Sequence, residues 1–226
     1  KFGGTSLGSD ANMRMAAERI VAAREHARVV VVASAMGGVT NDLVSACDAA
    51  AMGQWSSART VLGNVVQRHQ SAIELLVGSE TNGLGQSIDE LFDRLAHLLG
   101  RSNGSELSDH DRNVVLSSGE KLSTRLLTLA LHNLGVAARP LDADTFIDTD
   151  GDLREATPLY GTVEPHIESV LRPMLESNEI PVVTGFCGRS PQGQTTIMGR
   201  GSSDLTATLI GGALEARSVV VWTDVD

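Results

Sequence analysis

A chain of 226 residues, 42% of them hydrophobic, carries enough apolar side chains for one sizeable core. Its formal net charge of −10 excludes broad binding to nucleic acid or anionic membranes but leaves room for one local anion site. Two cysteines, Cys47 and Cys187, form neither a disulfide framework nor a zinc cluster, and no apolar run reaches the roughly 18–20 residues of a membrane helix, so the expectation is a cytoplasmic protein.

Aromatic residues make up 3% of the chain, which leaves the core to Val, Leu, Ile, Ala and Met. Residues 8–26 carry Met13, Ala16, Ala17, Ile20 and Val21 at helical spacing. Val29 to Ala33 is a short apolar run, as in a strand covered on both faces. Ser34 to Thr40 is a glycine-bearing loop, with Asn41 placed to cap the next helix. Residues 41–100 read as helices broken near Gly53, Gly78 and Gly83, and His69 and His132 read as helix-surface residues. A long helix is expected from about Ser118 to Asn133, stopped by Gly135.

Val136 to Leu141 suits a strand, and residues 142–162 suit loops with short strands. Val163 to Asn178 is helical, with Pro165 and Pro173 limiting its ends. Ile180 to Thr184 is a strand, Pro191 to Gly193 carries hairpin chemistry, Ser203 to Ala216 is helical and Ser218 to Thr223 is a final strand. Strands alternating with helices predict an α/β sandwich with a mainly parallel sheet. The helical segment at about 41–111 reads as an embellishment, and hairpins are expected within 142–200.

Three glycine turns could hold an anion. In Lys1-Phe2-Gly3-Gly4-Thr5-Ser6 the glycines admit close backbone approach, the lysine adds a point charge, and Thr5 and Ser6 can cap the next helix. An ordinary strand-to-helix turn explains the same residues. Neither the P-loop pattern nor a dinucleotide G-x-G-x-x-G fingerprint is present in this turn. The second turn is Ser34 to Thr40. The third is Gly199-Arg200-Gly201-Ser202-Ser203-Asp204, where Arg200 suits a carboxylate or phosphate and Asp204 suits either a helix start or a phosphate site. Glu120, read as a first-turn acid, could instead meet a substrate ammonium. No histidine spacing suits a metal, and no direct metal ligand is assigned.

KFGGTS, SAMGGVTN, SSGEKLS, GFCGRSPQGQTTIMGRGSSD and WTDVD occur in that order along the whole chain. The ordered set resembles the aspartate kinases (aspartokinases) of the amino-acid kinase family. The resemblance implies a three-layer α/β sandwich and transfer of the ATP γ-phosphoryl to the β-carboxylate of L-aspartate, giving 4-phospho-L-aspartate for lysine, threonine and methionine synthesis. ATP would be co-substrate, with Mg²⁺. By similarity Lys1, Asp204 and Arg200 are catalytic. Thr40, Glu120, Arg200 and Phe186 would bind the acceptor. Lys1, Gly3, Gly4, Ser34, Thr223 and Asp224 would meet the nucleotide.

Residues 1–226 then read as one catalytic domain, incomplete at its C-terminal end and lacking the family's ACT domains. The full-length protein is expected to be a homo-oligomer without nucleic-acid or membrane partners. The family's usual GRGGSD reads GRGSSD here, which places Ser202 at a glycine position and costs energy if that position needs positive φ. Its HGE reads Ser118-Gly119-Glu120. Alternatives are another amino-acid kinase, such as an acetylglutamate or glutamate 5-kinase, a non-catalytic regulatory subunit, or a structural interaction domain.

Overall fold

The structure, a computed structural model, describes residues 1–77, 81, 83–102, 104–199 and 201–223. Its centre is a parallel sheet of β1 (Val31–Ala33), β3 (Ile180–Thr184) and β2 (Ala138–Leu141), in the order β1-β3-β2. Val31 pairs with Val182, and Ala138 with Ile180. Phe2 extends the sheet beyond β1 through parallel bridges to Ala33 and to Trp222. The glycine turn after Phe2 and the one after β1 therefore leave the same end of the sheet.

Strand side chains alternate between faces. Val31, Ala33, Ile180 and Val182 join a core shared with α1 (Asp10–Arg24), α2 (Val39–Ala51), α3 (Trp55–Val77), α4 (Leu84–Arg101) and α5 (Asp109–Asn133). Val32 and Val183 point the other way, against α6 (Tyr160–Glu176) and α7 (Ser202–Ala213). The result is the expected three layers, with α2 to α4 as the helical addition. An antiparallel hairpin of β4 (Cys187–Arg189) and β5 (Thr195–Ile197) follows β3, and Gly193 takes a φ of 77° in its turn. Among the described residues no helix is long and apolar enough to cross a membrane.

Several local expectations need correction. The helix expected from Ser118 begins at Asp109, where Ser108 accepts a hydrogen bond from Asp111 N. The polar run Ser117-Ser118-Gly119 looked like a helix start. It lies in the helix interior, and Ser118 Oγ donates to Val114 O at 2.7 Å, so the hydroxyl needs no water. Gly119 is required there, because a Cβ would stand 2.8 Å from Ala35 Cβ. Thr5 and Ser6 do not cap α1. They belong to a 3-10 turn, and Ser9 is the cap, accepting from Asn12 N.

Gly38 (φ 88°), not Asn41, precedes α2. Pro165 and Pro173 lie inside α6. Residues 218–223, expected as a final strand, meet the sheet through backbone bonds to Lys1–Gly3 and through the Trp222 ring stacked on Phe2, with Val219, Val220 and Val221 exposed. His69 is buried rather than on the surface. Its Nδ1–H donates to Val65 O at 2.7 Å, its ring packs edge-on against Phe92, and burial pushes its pKa down to about 4.

Candidate functional site

The first two glycine turns touch. Gly37 N donates to Gly4 O at 2.9 Å, and a Cβ on Gly4 would lie 2.9 Å from Ala35 O. Only glycine permits this approach. Two groups of side chains gather on the touching turns.

Lys1 and Asp204 make up the first. Lys1 Nζ lies 2.7 Å from Asp204 Oδ1. Lys1 is held by backbone pairing, its own nitrogen donating to Val220 O and its carbonyl accepting from Trp222 N. Asp204 stands in the first turn of α7, whose N-cap Gly201 takes a φ of 80°. Gly3 faces the same space, with its hypothetical Cβ 3.7 Å from Lys1 Nζ and 3.5 Å from Thr223 Oγ1. Lys1, Gly3, Thr223 and Asp204 are thus neighbours across the whole chain.

The second group lines a hollow of about 250 Å³ formed by Gly4, Ser34, Ala35, Met36, Gly37, Gly38, Thr40, Asn41 and Glu120. Glu120 is 4% exposed and sits in mid-helix, not in the first turn. Its Oε1 accepts from Ala35 N at 3.2 Å, and its Oε2 has no partner among the described residues. Burial pushes its pKa up to about 8, against the pull of the Ala35 N–H. A carboxyl group with one orphan oxygen, facing a polar hollow, suits a cation such as an ammonium, which would restore its charge.

Phe186 does not line this hollow. Its side chain is 8% exposed and belongs to the core on the α1–α5 side. The backbone is unusual there, with φ at 71° and Cys187 N donating to Gly185 O across it. Phe186 O accepts from Met198 N at 2.9 Å, which ties this turn to the segment leading into α7. A positive φ at a bulky residue is costly and persists only where neighbours hold it. Arg200 and Asp224 lie outside the described residues. Sequence reasoning identified the loop that carries Met36 and read Asn41 as a helix cap, but passed over both as wall residues. It also passed over Arg68, a helical residue that no motif marks.

The two groups together can do one kind of chemistry. The glycine turns offer backbone N–H groups and Lys1 a cation, both suited to phosphate oxygens. The hollow around Glu120 suits a small molecule carrying an ammonium. Among the described residues no cluster of three His, Cys, Asp or Glu side chains could hold a metal ion. A Mg²⁺ carried on nucleotide phosphates needs only one or two protein carboxylates, and Asp204 is the carboxylate beside Lys1.

Comparison with known proteins gives the family. A sequence model of the amino acid kinase family matches residues 1–226. The chain is 36% identical, over its whole length, to aspartokinase 1 (chloroplastic) of Arabidopsis thaliana, of which it covers 40%. It is 30% identical to an aspartokinase of Chlamydia muridarum, of which it covers 47%. Escherichia coli aspartokinase III, solved in complex with aspartate and ADP, superimposes with a TM-score of 0.89 at 30% identity over 99% of this chain and 48% of that one. The chain therefore spans less than half the length of each of these relatives.

Proposed function

The chain belongs to the amino acid kinase family, and from that premise we propose that its protein is an aspartate kinase, transferring the γ-phosphoryl of ATP to the β-carboxylate of L-aspartate. Residues 1–226 belong to its catalytic domain. The observation that carries this reading is the pair of touching glycine turns, with the Lys1–Asp204 ion pair on one side and the Glu120 hollow on the other.

A β-carboxylate is already an anion, so no base is required. Catalysis reduces to bringing two negative groups together and stabilising charge on the transferring phosphoryl. Lys1 supplies the positive charge, and Asp204 holds its ammonium in place. Gly4 offers its N–H to phosphate oxygens, with Ser34 beside it, while Gly3, whose N–H donates to Trp222 O at 2.8 Å, contributes only the close backbone approach. Glu120 receives the ammonium of aspartate through its orphan oxygen, with Thr40 in the same wall. Arg200 clamps a substrate carboxylate, and Thr223 and Asp224 begin the nucleotide contact. Phe186 acts by shaping the turn between β3 and β4. Mg²⁺ bound with the nucleotide would screen its phosphates, with Asp204 the carboxylate placed to help hold it. A cytoplasmic location and a homo-oligomeric state complete the proposal.

The test is an ADP-release assay with Mg-ATP across acceptors, using aspartate, glutamate, N-acetylglutamate, carbamate and UMP. Aspartate is expected to give the highest kcat/KM by at least about a hundredfold, since a site built to pair polar groups rejects substrates that leave them unpaired. Preference for any other acceptor overturns the assignment.

A further inference from the structure

Arg68 stands on α3, which contributes no side chain to the Glu120 hollow among the described residues, yet its guanidinium reaches the backbone of the site. One terminal nitrogen donates to Gly37 O at 2.7 Å and the other to Gly8 O at 2.8 Å. Gly8 closes the 3-10 turn that starts after Gly4. The first glycine turn and the second are therefore joined at two points, by Gly37 N–H to Gly4 O and by the guanidinium bridging Gly8 and Gly37.

Both acceptors are neutral carbonyls, and among the described residues no carboxylate forms an ion pair with Arg68. The planar fork of donors fits two carbonyls at once, which a lysine ammonium on its flexible stem does less well. The Gly37 carbonyl and the Gly38 N–H belong to one peptide group, so a cation at the oxygen polarises the N–H at the wall of the hollow. Glycine turns have the most conformational freedom to lose. A charged clamp on their carbonyls limits that freedom before substrate arrives.

We propose that Arg68 is a positioning residue that fixes the second glycine turn against the first and so sets the geometry between phosphate and acceptor. This rests on the functional reading above. The clamp lies open on one side. A hollow of about 420 Å³ bordered by Gly8, Met36, Asn64 and Arg68 gives a small cation access to the place that a truncated side chain would vacate.

The test uses the intact protein, with Arg68→Lys and Arg68→Ala assayed by steady-state kinetics and by circular dichroism. Arg68→Lys is expected to remain folded and to lose about tenfold to a hundredfold in kcat/KM for the acceptor, the scale of a small misplacement of reacting groups. Millimolar methylguanidinium is expected to restore activity to Arg68→Ala severalfold, while ethylammonium does not. A purely structural role would not produce that selectivity. Arg68→Lys within twofold of the parent in kcat and both KM values overturns the proposal, as does a folded Arg68→Ala that methylguanidinium leaves unrescued. If Arg68→Ala does not fold, Arg68→Lys decides alone. If the parent prefers another acceptor, the aspartate assignment fails, and the same ratios measured with that acceptor still decide the role of Arg68.

Discussion

Lys1 Nζ and Asp204 Oδ1 lie 2.7 Å apart, yet the lysine side chain is only 9% exposed while the aspartate is 54% exposed. A pair so open on one side adds little to stability. Its value lies in orientation, because the carboxylate aims an otherwise flexible ammonium. Lys1→Ala is expected to lower turnover at least about a hundredfold, the scale of losing one preorganised charge donor, with little change in the thermal unfolding midpoint. Asp204→Asn should reduce turnover less. Steady-state kinetics and thermal unfolding measure both, and near-parent turnover in Lys1→Ala would refute the role.

Burial pushes the Glu120 pKa up to about 8, against an ordinary value of 4.5. A bound ammonium favours the ionised form, so acceptor binding strengthens as the pH rises from about 6.5 to about 8.5. The KM for aspartate should fall across that range, and in Glu120→Gln it should be high and flat.

The same residue affects stability with a definite sign. Between 4.5 and 8 the folded chain keeps a proton on Glu120 that the unfolded chain has lost. Stability from this group is therefore complete below 4.5 and falls as the pH rises through 8. Glu120→Gln should be more resistant to urea than the parent at pH 8.5 and similar to it at pH 4.5. A parent and variant with parallel pH–stability curves would contradict the burial argument.

A second buried charge cluster joins α5 to the hairpin. Lys121 Nζ lies 2.7 Å from Asp144 Oδ2, which also accepts from Thr195 Oγ1 at 2.7 Å, while Arg125 makes two bonds to Asp142. Among the described residues, Asp144→Ala leaves the Lys121 ammonium with Asp142 alone as a carboxylate partner, at 3.8 Å. Removing one partner of a buried pair costs about 3–5 kcal/mol, readable as a shift in the urea midpoint. A loss below about 1 kcal/mol would show that solvent already screens the cluster.

Ser202 stands where the motif of the aspartate-kinase resemblance has glycine. Among the described residues of that loop, positive φ falls on Gly199 and Gly201 and not on Ser202. Its hydroxyl donates to Gly199 O at 2.7 Å. Serine is thus unstrained, against the cost that the motif alone suggested. Ser202→Gly should destabilise by about 1–2 kcal/mol, from a lost hydrogen bond and the lower helix propensity of glycine, with kcat within twofold. A stabilised variant would reverse the sign and restore the strain argument.

Much of the site was legible because its turns are local. The runs Val29–Ala33 and Ile180–Thr184 announce buried strands, and the glycines after Lys1 and Ser34 announce close backbone approach. Glu120 was found through its motif but placed wrongly, since Ser-Ser-Gly reads as a helix start until the packing of Gly119 on Ala35 is seen. His69 was misplaced for a related reason. Helical spacing identifies a face but not the element that covers it, and α4 covers this one.

The order of strands, helices and glycine turns, and the residue types able to neutralise phosphate, were determined by the sequence alone, because backbone preference and hydrophobic period act over a few residues. Tertiary structure alone decided that Lys1 meets Asp204, that Glu120 is dry enough to hold its proton, and that Arg68 reaches Gly37 from another helix. Those three depend on desolvation and on distances between segments far apart in the chain. Both quantities come into being only when the sheet brings its turns to one end and the helices close over them.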